Sequence, residues 1–197
     1  LYPEIEEDEN PVLDFLNKVM INQIELVVNW MRVGFIHGVM NTDNTSISGE
    51  TLDYGPCAFI NTYHPDTVYS SIDHNGRYAF GNQPKIIKWN ISRFAEALLS
   101  IIHHDKKKSL QLAQATIDQF DEIWKIKYYG MMLNKIGIDN NDESLYTLVD
   151  ELLDCMKKLN MDYTNTFWSL SHDNIPEDSL INGSDFKPWL KKWQDYI

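Results

Sequence analysis

Three side chains with oxygen donors, Asp43, Asn44 and Asp53, lie within eleven residues of one another. Mg²⁺ prefers octahedral oxygen ligands, usually one or two carboxylates completed by phosphate oxygens and water. The Ser48-Gly49 pair between them predicts a tight turn that returns Asp53 to the neighbourhood of Asn44. Asn44 and Asp53 are therefore candidate metal ligands, and Asp43 is a spare carboxylate that could accept a proton. Alternatively, the three are only turn formers, because Asn and Asp favour turns in any case.

The spacing around these residues matches the pattern of protein kinases, H-R-D-x-x-x-x-N followed by D-F-G. His37 and Asn44 are seven positions apart, like the kinase His and Asn, and Asp53-Tyr54-Gly55 stands in the D-F-G place. The position of the kinase catalytic Asp is Val39, so Asp43 is the nearby substitute for a base. His37 fits a structural role better than a catalytic one. Taken alone, these residues predict phosphoryl transfer.

Longer motifs carry a more specific resemblance. The sequence resembles the selenoprotein O-like pseudokinases, which are protein adenylyltransferases with a kinase-like fold. The matching motifs are G-F-I-H-G-V-M-N-T-D-N at 34–44, D-Y-G-P at 53–56, R-Y-A-F-G-N-Q-P at 77–84, W-N at 89–90 and D-Y-T-x-x-F at 162–167. The resemblance is strongest over residues 30–90 and continues more weakly to the end of the chain.

The resemblance implies transfer of AMP from ATP to Ser, Thr or Tyr hydroxyls of proteins, with Mg²⁺ as the metal and Mn²⁺ as an alternative. Asn44 and Asp53 match the family's metal ligands at the nucleotide, and Asp43 matches its proposed base. Gly55 is a weaker match to the nucleotide site. Bacterial members of the family are cytoplasmic and eukaryotic members are mitochondrial, so the expected compartment depends on the source.

The elements that must position these residues are mostly helical. Asn10-Pro11 is a helix start, and an apolar stripe predicts a long helix over about 11–36. A polar loop follows, then a hairpin pairing Ser46-Ile47 with Thr51-Leu52, then a loop-rich stretch over 56–88. Further apolar stripes and short helical segments predict helices near 91–102, 112–131, 145–159, 163–170 and 186–196.

The predicted fold is mainly α: the helical C-lobe of a protein-kinase-like fold, with a small β-hairpin carrying the metal-binding loop. Residues 1–10 form an acidic N-terminal segment and residues 11–197 a single domain. The nine glycines form no GxGxxG, and no strand-rich region precedes Pro11. We therefore expect a chain that lacks its N-terminal lobe, is the C-terminal portion of a longer protein, and is inactive by itself.

Composition narrows the alternatives. With 17 basic and 29 acidic residues, the net charge is −12, which argues against nucleic acid and anionic lipid as partners. Two cysteines, without zinc spacing, suggest a reducing compartment. His103-His104-Asp105 has the composition of a metal site but favours a helix end. Arg77, Asn82 and Gln83 lie in the predicted 56–88 loop, and the resemblance alone gives them nucleotide-site or activation-segment roles.

Two other functions stay open from the sequence. The chain could be a helical protein-interaction module whose nucleotide site is vestigial. It could also be an ordinary phosphoryl-transferring enzyme, since the kinase-like spacing does not decide which phosphate is transferred. An effect of Asp53→Ala on nucleotide binding or AMP transfer in the full-length protein would separate the enzyme from the interaction module. The phosphate whose label is transferred from ATP separates AMP transfer from kinase activity.

Overall fold

The computed structural model describes residues 2, 3, 5, 9–172 and 180–197. Residues 1, 4 and 6–8 of the acidic N-terminal segment lie outside this described part. Within it, helices dominate, which confirms the prediction of a mainly α fold. The α-helices are α1 (Pro11–Val33), α2 (Gln83–Ile102), α3 (Lys106–Ile117), α4 (Phe120–Lys135), α5 (Tyr146–Lys158), α6 (Tyr163–Leu170) and α7 (Lys187–Gln194).

The first helix begins and ends at the residues that local chemistry favours. The Asn10 side chain accepts a hydrogen bond from the Leu13 amide at 3.1 Å, and Pro11 occupies the first turn. Gly34 ends the helix in the left-handed conformation with φ of 75°. The helix is therefore three residues shorter than predicted, because the chain after Gly34 turns into a strand.

The core forms around α1, which packs against α2 and α4, while α5 packs against α4 and α7. The predicted helix over 112–131 is in fact two helices. The chain breaks at Asp118 and Gln119, whose amides bond to carbonyls of the last turn of α3. The acidic residues Asp121 and Glu122 then lie in the first turn of α4, where the helix dipole favours them. None of the helices in the described ranges is long and apolar enough to cross a bilayer.

The two-stranded sheet lies elsewhere than the sequence predicted. Strands β1 (Phe35–Ile36) and β2 (Ala58–Phe59) pair antiparallel, with Phe35 opposite Phe59. The expected hairpin between Ser46-Ile47 and Thr51-Leu52 is reduced to a single bridge between Thr45 and Thr51. Two-residue strands are too short to show an alternating pattern, so no period could have marked β1 and β2.

Candidate metal and nucleotide site

His37 ties the two halves of the site together from a fully buried position. Its Nε2 donates a hydrogen bond to the Leu52 carbonyl at 2.5 Å, next to Asp53. The imidazole stacks on Trp30 of α1 with ring centroids 5.3 Å apart. Since a carbonyl oxygen can only accept, Nε2 must carry the proton in this contact. His37 therefore braces backbone, as the sequence indicated.

Gly38 brings the loop 37–44 into direct contact with the D-Y-G-P turn. Its φ is +80°, and a Cβ at this position would lie 1.9 Å from the Pro56 carbonyl oxygen. A Cβ atom cannot lie that close to an oxygen, and the left-handed backbone conformation disfavours any residue with a side chain. The close approach of residues 38 and 56 therefore depends on glycine.

Asn44 is half-buried at the end of the single turn of 3₁₀ helix over Thr42–Asn44. Its Nδ2 donates to the Val39 carbonyl at 3.0 Å, which fixes the orientation of the amide and leaves Oδ1 as its acceptor atom. Asp43, on the same turn, is exposed. The bridge from Thr45 to Thr51 follows immediately and folds the chain back toward Asp53.

Asp53 is exposed and adopts a left-handed backbone conformation, with φ of +53°. Among the described non-glycine residues, Asn160 is the other with a positive φ. A Cβ on Gly55 would lie 3.3 Å from Asp53 Oδ1, so the carboxylate folds back over its own turn. Asp and Asn adopt this conformation more readily than other non-glycine residues, because their short polar side chains can hydrogen-bond locally.

Three contacts join the two loops that carry the candidate residues: the bond from His37 to Leu52, the bridge from Thr45 to Thr51, and the contact of Gly38 with Pro56. Asn44 and Asp53 each offer a hard oxygen donor there, which suits Mg²⁺. In the described ranges, no group of three or more His, Cys, Asp or Glu side chains could hold a metal ion. A metal held by Asn44 and Asp53 would complete its coordination shell with phosphate oxygens and water.

Gln83 is a positioning residue that the motif analysis did not recognise as such. It is fully buried at the start of α2, and its amide makes two bonds to the β1 region. Oε1 accepts from the His37 amide at 3.1 Å, and Nε2 donates to the Phe35 carbonyl at 3.0 Å. A single side chain thus holds the backbone of residues 35–37, which leads into the candidate site.

Asn90, two turns further along α2, holds the other end of the loop. Its Nδ2 donates to the Met40 carbonyl at 3.0 Å and contacts Thr45 Oγ1 at 2.9 Å. Gln83 and Asn90 are seven residues apart and share the buried face of α2 with Ile87. Two amides on an otherwise apolar stripe were the signal available in the sequence, because buried polar groups need partners.

The remaining residues of the R-Y-A-F-G-N-Q-P motif order the long loop. Arg77 lies over the Trp89 ring, with its guanidinium carbon 5.0 Å from the centroid. Asn82 Nδ2 donates to the Gly76 carbonyl at 2.7 Å. Tyr78 donates its hydroxyl proton to Asn41 Oδ1 at 2.5 Å, which links this loop to the turn that carries Asp43.

Away from this site, Asp105 of the His103-His104-Asp105 stretch caps α3. Its carboxylate accepts from the Lys108 amide at 2.9 Å. That bond also explains why the pKa of Asp105 is lowered, since the amide stabilises the ionised form.

Comparison with known proteins gives the family. Residues 1–195 match the family model described as protein adenylyltransferase SelO. The chain is 49% identical to the protein nucleotidyltransferase YdiU of Pelagibacter ubique over 192 residues, which is 98% of this chain and 40% of the relative. It is 47% identical to the YdiU protein of Bacillus cereus strain B4264 and 45% identical to that of Nitrosococcus oceani, each over 196 residues. In both cases the matched region is 100% of this chain and 40% of the relative. With the family model matching nearly its whole length, the chain belongs to the SelO family of protein adenylyltransferases.

Proposed function

We propose that this chain forms the part of a protein AMP-transfer site that holds the metal and receives the acceptor hydroxyl. The observation that carries the proposal is the pair of loops tied by His37 and Gly38, with Asn44 on one loop and Asp53 on the other. Membership of a nucleotidyltransferase family supports ATP as the substrate. Since the chain spans about 40% of the length of its curated relatives, the activity belongs to the longer protein.

In this proposal, Asn44 Oδ1 and the Asp53 carboxylate hold Mg²⁺, or Mn²⁺ in its place, at the triphosphate of ATP. The ion would neutralise charge that develops on the phosphate oxygens. Gly55 leaves the turn beside Asp53 without a side chain, so backbone can approach the nucleotide. Much of the rate gain then comes from fixed positions and charges around the phosphates.

Asp43 acts on the acceptor. Its exposed carboxylate takes the proton from a Ser, Thr or Tyr hydroxyl of the target protein, and the oxygen attacks the α-phosphorus of ATP. The bond from the α-phosphorus to the bridging oxygen breaks, and pyrophosphate leaves. The new bond joins AMP to the protein through a phosphodiester. The resemblance to the selenoprotein O-like pseudokinases implies that ATP binds in an inverted orientation relative to kinases, and this is the reason to place the α-phosphate at the acceptor.

The architecture that we propose is the C-lobe of a kinase-like fold, with residues 11–197 as one domain. A separate N-terminal lobe of the longer protein would cover the nucleotide, and we expect the isolated chain to bind ATP weakly and to transfer no AMP. The relatives compared are bacterial, so we propose the cytoplasm as the compartment for a bacterial source. A mitochondrial location would apply to a eukaryotic one.

The spacing of His37, Asn44 and Asp53 also favours a second candidate, ordinary phosphoryl transfer. The test uses the full-length protein with ATP labelled at the α- or the γ-phosphate. AMP transfer predicts metal-dependent α-³²P label on protein, whereas γ-³²P label would replace our proposal with kinase activity. Absence of both labels, with no metal-dependent binding of ATP, would favour the interaction module.

Three variants assign the roles. Asp53→Ala should abolish both metal-dependent ATP binding and label. Asp43→Ala should retain ATP binding and lose transfer by at least a hundredfold, since general base catalysis contributes about 10²–10⁴-fold. Asp66→Ala, an exposed carboxylate of the long loop, is the matched control and should change neither. Full activity in Asp53→Ala would refute the metal assignment.

A further inference from the structure

An exposed tryptophan at the border of the candidate site carries two arginines. The guanidinium carbon of Arg77 lies 5.0 Å from the centroid of the Trp89 ring and 5.7 Å from that of Tyr78. Arg93 lies over the same indole at 5.3 Å, so two of the three arginines in the sequence contact one ring. Arg77 is exposed, and Trp89 is 43% exposed on α2. A guanidinium held against an aromatic face is restrained there and keeps its N–H groups available for other partners.

The Arg77 guanidinium has no acidic partner among the described residues, with which it forms neither a hydrogen bond nor an ion pair. Asp73, the acidic residue closest to it in sequence, accepts instead from the backbone amides of Arg77 and Tyr78, both at 2.8 Å. Glu96 pairs with Arg93 at 2.7 Å. Arg77 is therefore a cation that is held in place on two rings and can pair with an anion from another molecule.

A single tyrosine ring separates this guanidinium from the turn that carries Asp43. The Tyr78 ring contacts Arg77, and its hydroxyl donates to Asn41 Oδ1, two residues before the proposed base. In the described part of the chain, no hydrogen bond or ring contact joins Arg77 or Tyr78 to the 53–56 turn, which carries a proposed metal ligand. These contacts place Arg77 on the side of the base, where the acceptor hydroxyl must approach.

We propose that Arg77 recognises an acidic side chain of the acceptor protein, close in its sequence to the hydroxyl that takes AMP. The two oxygens of an Asp or Glu carboxylate match the parallel N–H groups of a guanidinium, which binds them bidentately. An extended chain advances about 3.3 Å per residue, so the width of the Tyr78 ring corresponds to an acidic residue about two to four positions from the hydroxyl. The inference rests on the proposed function and specifies the substrate class of the same site.

The test uses the full-length protein and serine-centred alanine peptides in which glutamate or glutamine occupies each flanking position in turn. Glutamine has nearly the shape of glutamate and no charge. We expect glutamate at one position to lower the KM for the peptide about three- to tenfold relative to glutamine, as for an exposed ion pair with a preorganised arginine. Arg77→Met should remove that preference and leave the KM for ATP unchanged. Equal KM values for glutamate and glutamine at every position would overturn the inference.

Exchanging the charge distinguishes recognition from a structural role of Arg77. In Arg77→Glu, lysine at the selected peptide position should give a lower KM than glutamate, a reversal that lost packing cannot produce. Arg32→Met is the matched control, because Arg32 is exposed at the end of α1 and lines a groove with α4 and α6. It should keep the preference for glutamate. A preference for glutamate that survives Arg77→Glu would contradict the proposal.

Two further readouts separate this inference from its alternatives. If Arg77→Met raises the KM for ATP with every peptide, Arg77 binds the phosphates of ATP and the inference fails. Fluorescence anisotropy of the labelled peptides measures binding without transfer, and the Kd should be lower for glutamate than for glutamine in the unaltered protein and equal in Arg77→Met. Equal binding of both peptides to the unaltered protein would refute the acidic preference and leave AMP transfer intact. If the preference is present but the full-length protein puts no α-³²P label on any protein or peptide, the proposed function fails separately.

Discussion

Replacing Gly38 by alanine tests whether the two loops of the candidate site depend on their close contact. The added Cβ would lie 1.9 Å from the Pro56 carbonyl oxygen and 3.0 Å from its carbon, both of them backbone atoms. Gly76 supplies a control with the same backbone problem and no clash. Its φ is +65°, and the nearest atoms to a Cβ there are side-chain carbons 3.8 Å away.

The magnitudes follow from these two environments. Left-handed backbone costs an alanine about 1–2 kcal/mol at either position. Overpacking against atoms that cannot move aside adds about 1–3 kcal/mol, and this cost applies at Gly38 alone. For a chain of this size, 1 kcal/mol lowers the melting temperature by about 2–4 °C. Gly38→Ala should therefore melt about 2–12 °C below Gly76→Ala.

The assay has a stability and a binding readout. Thermal unfolding followed by circular dichroism gives the difference in melting temperature between the two variants. Titration of the full-length protein with ATP and Mg²⁺ should show a Kd raised about tenfold or more in Gly38→Ala, because the 53–56 turn has moved, and unchanged in Gly76→Ala. If the two variants agree in both measurements, the contact between residues 38 and 56 does not position the site.

Three further outcomes follow from the described contacts. Gln83→Leu leaves two buried backbone groups without partners, at about 1–3 kcal/mol each. Urea unfolding should show that loss, whereas Gln111→Leu, an exposed glutamine on α3, should change little. Asn10→Ala removes the cap of α1 and should cost about 1 kcal/mol by the same measurement. Burial lowers the pKa of Lys135 to about 7, so between pH 7 and 10 the unfolded chain binds the proton that the folded chain has released. Stability should then rise with pH over pH 7–9, an increase that Lys135→Met removes and that the exposed Lys191→Met retains. A flat profile in the unaltered chain would mean that the nearby Tyr163 and Phe167 rings hold the lysine charged.

The sequence predicted those elements whose causes are local. Asn10 and Pro11 mark the start of α1, and the apolar stripes mark α2 and α5 with errors at their ends. The sequence did not predict the break between α3 and α4 at residues 118–119, because the helical spacing of apolar residues continues across it. The pairing of β1 with β2 was not predicted for a different reason. A strand of two residues is too short to show an alternating hydrophobic pattern, and its partner depends on where α1 ends and where the D-Y-G-P turn returns the chain.

The residues of the candidate site likewise fall into those that the sequence predicted and those that it did not. Asp43, Asn44 and Asp53 could be named from spacing, because a metal site needs particular atoms at particular separations. The residues that hold the site, Gln83 and Asn90, contact it across 46 and 50 positions of sequence. No local pattern specifies such a partner, yet each amide lies on the buried face of α2, among apolar side chains. A buried amide destabilises the fold unless it hydrogen-bonds to groups outside its own helix. Amides on a buried helical stripe therefore predict that the helix holds a distant loop in place. In this chain that loop carries the proposed base and metal ligand.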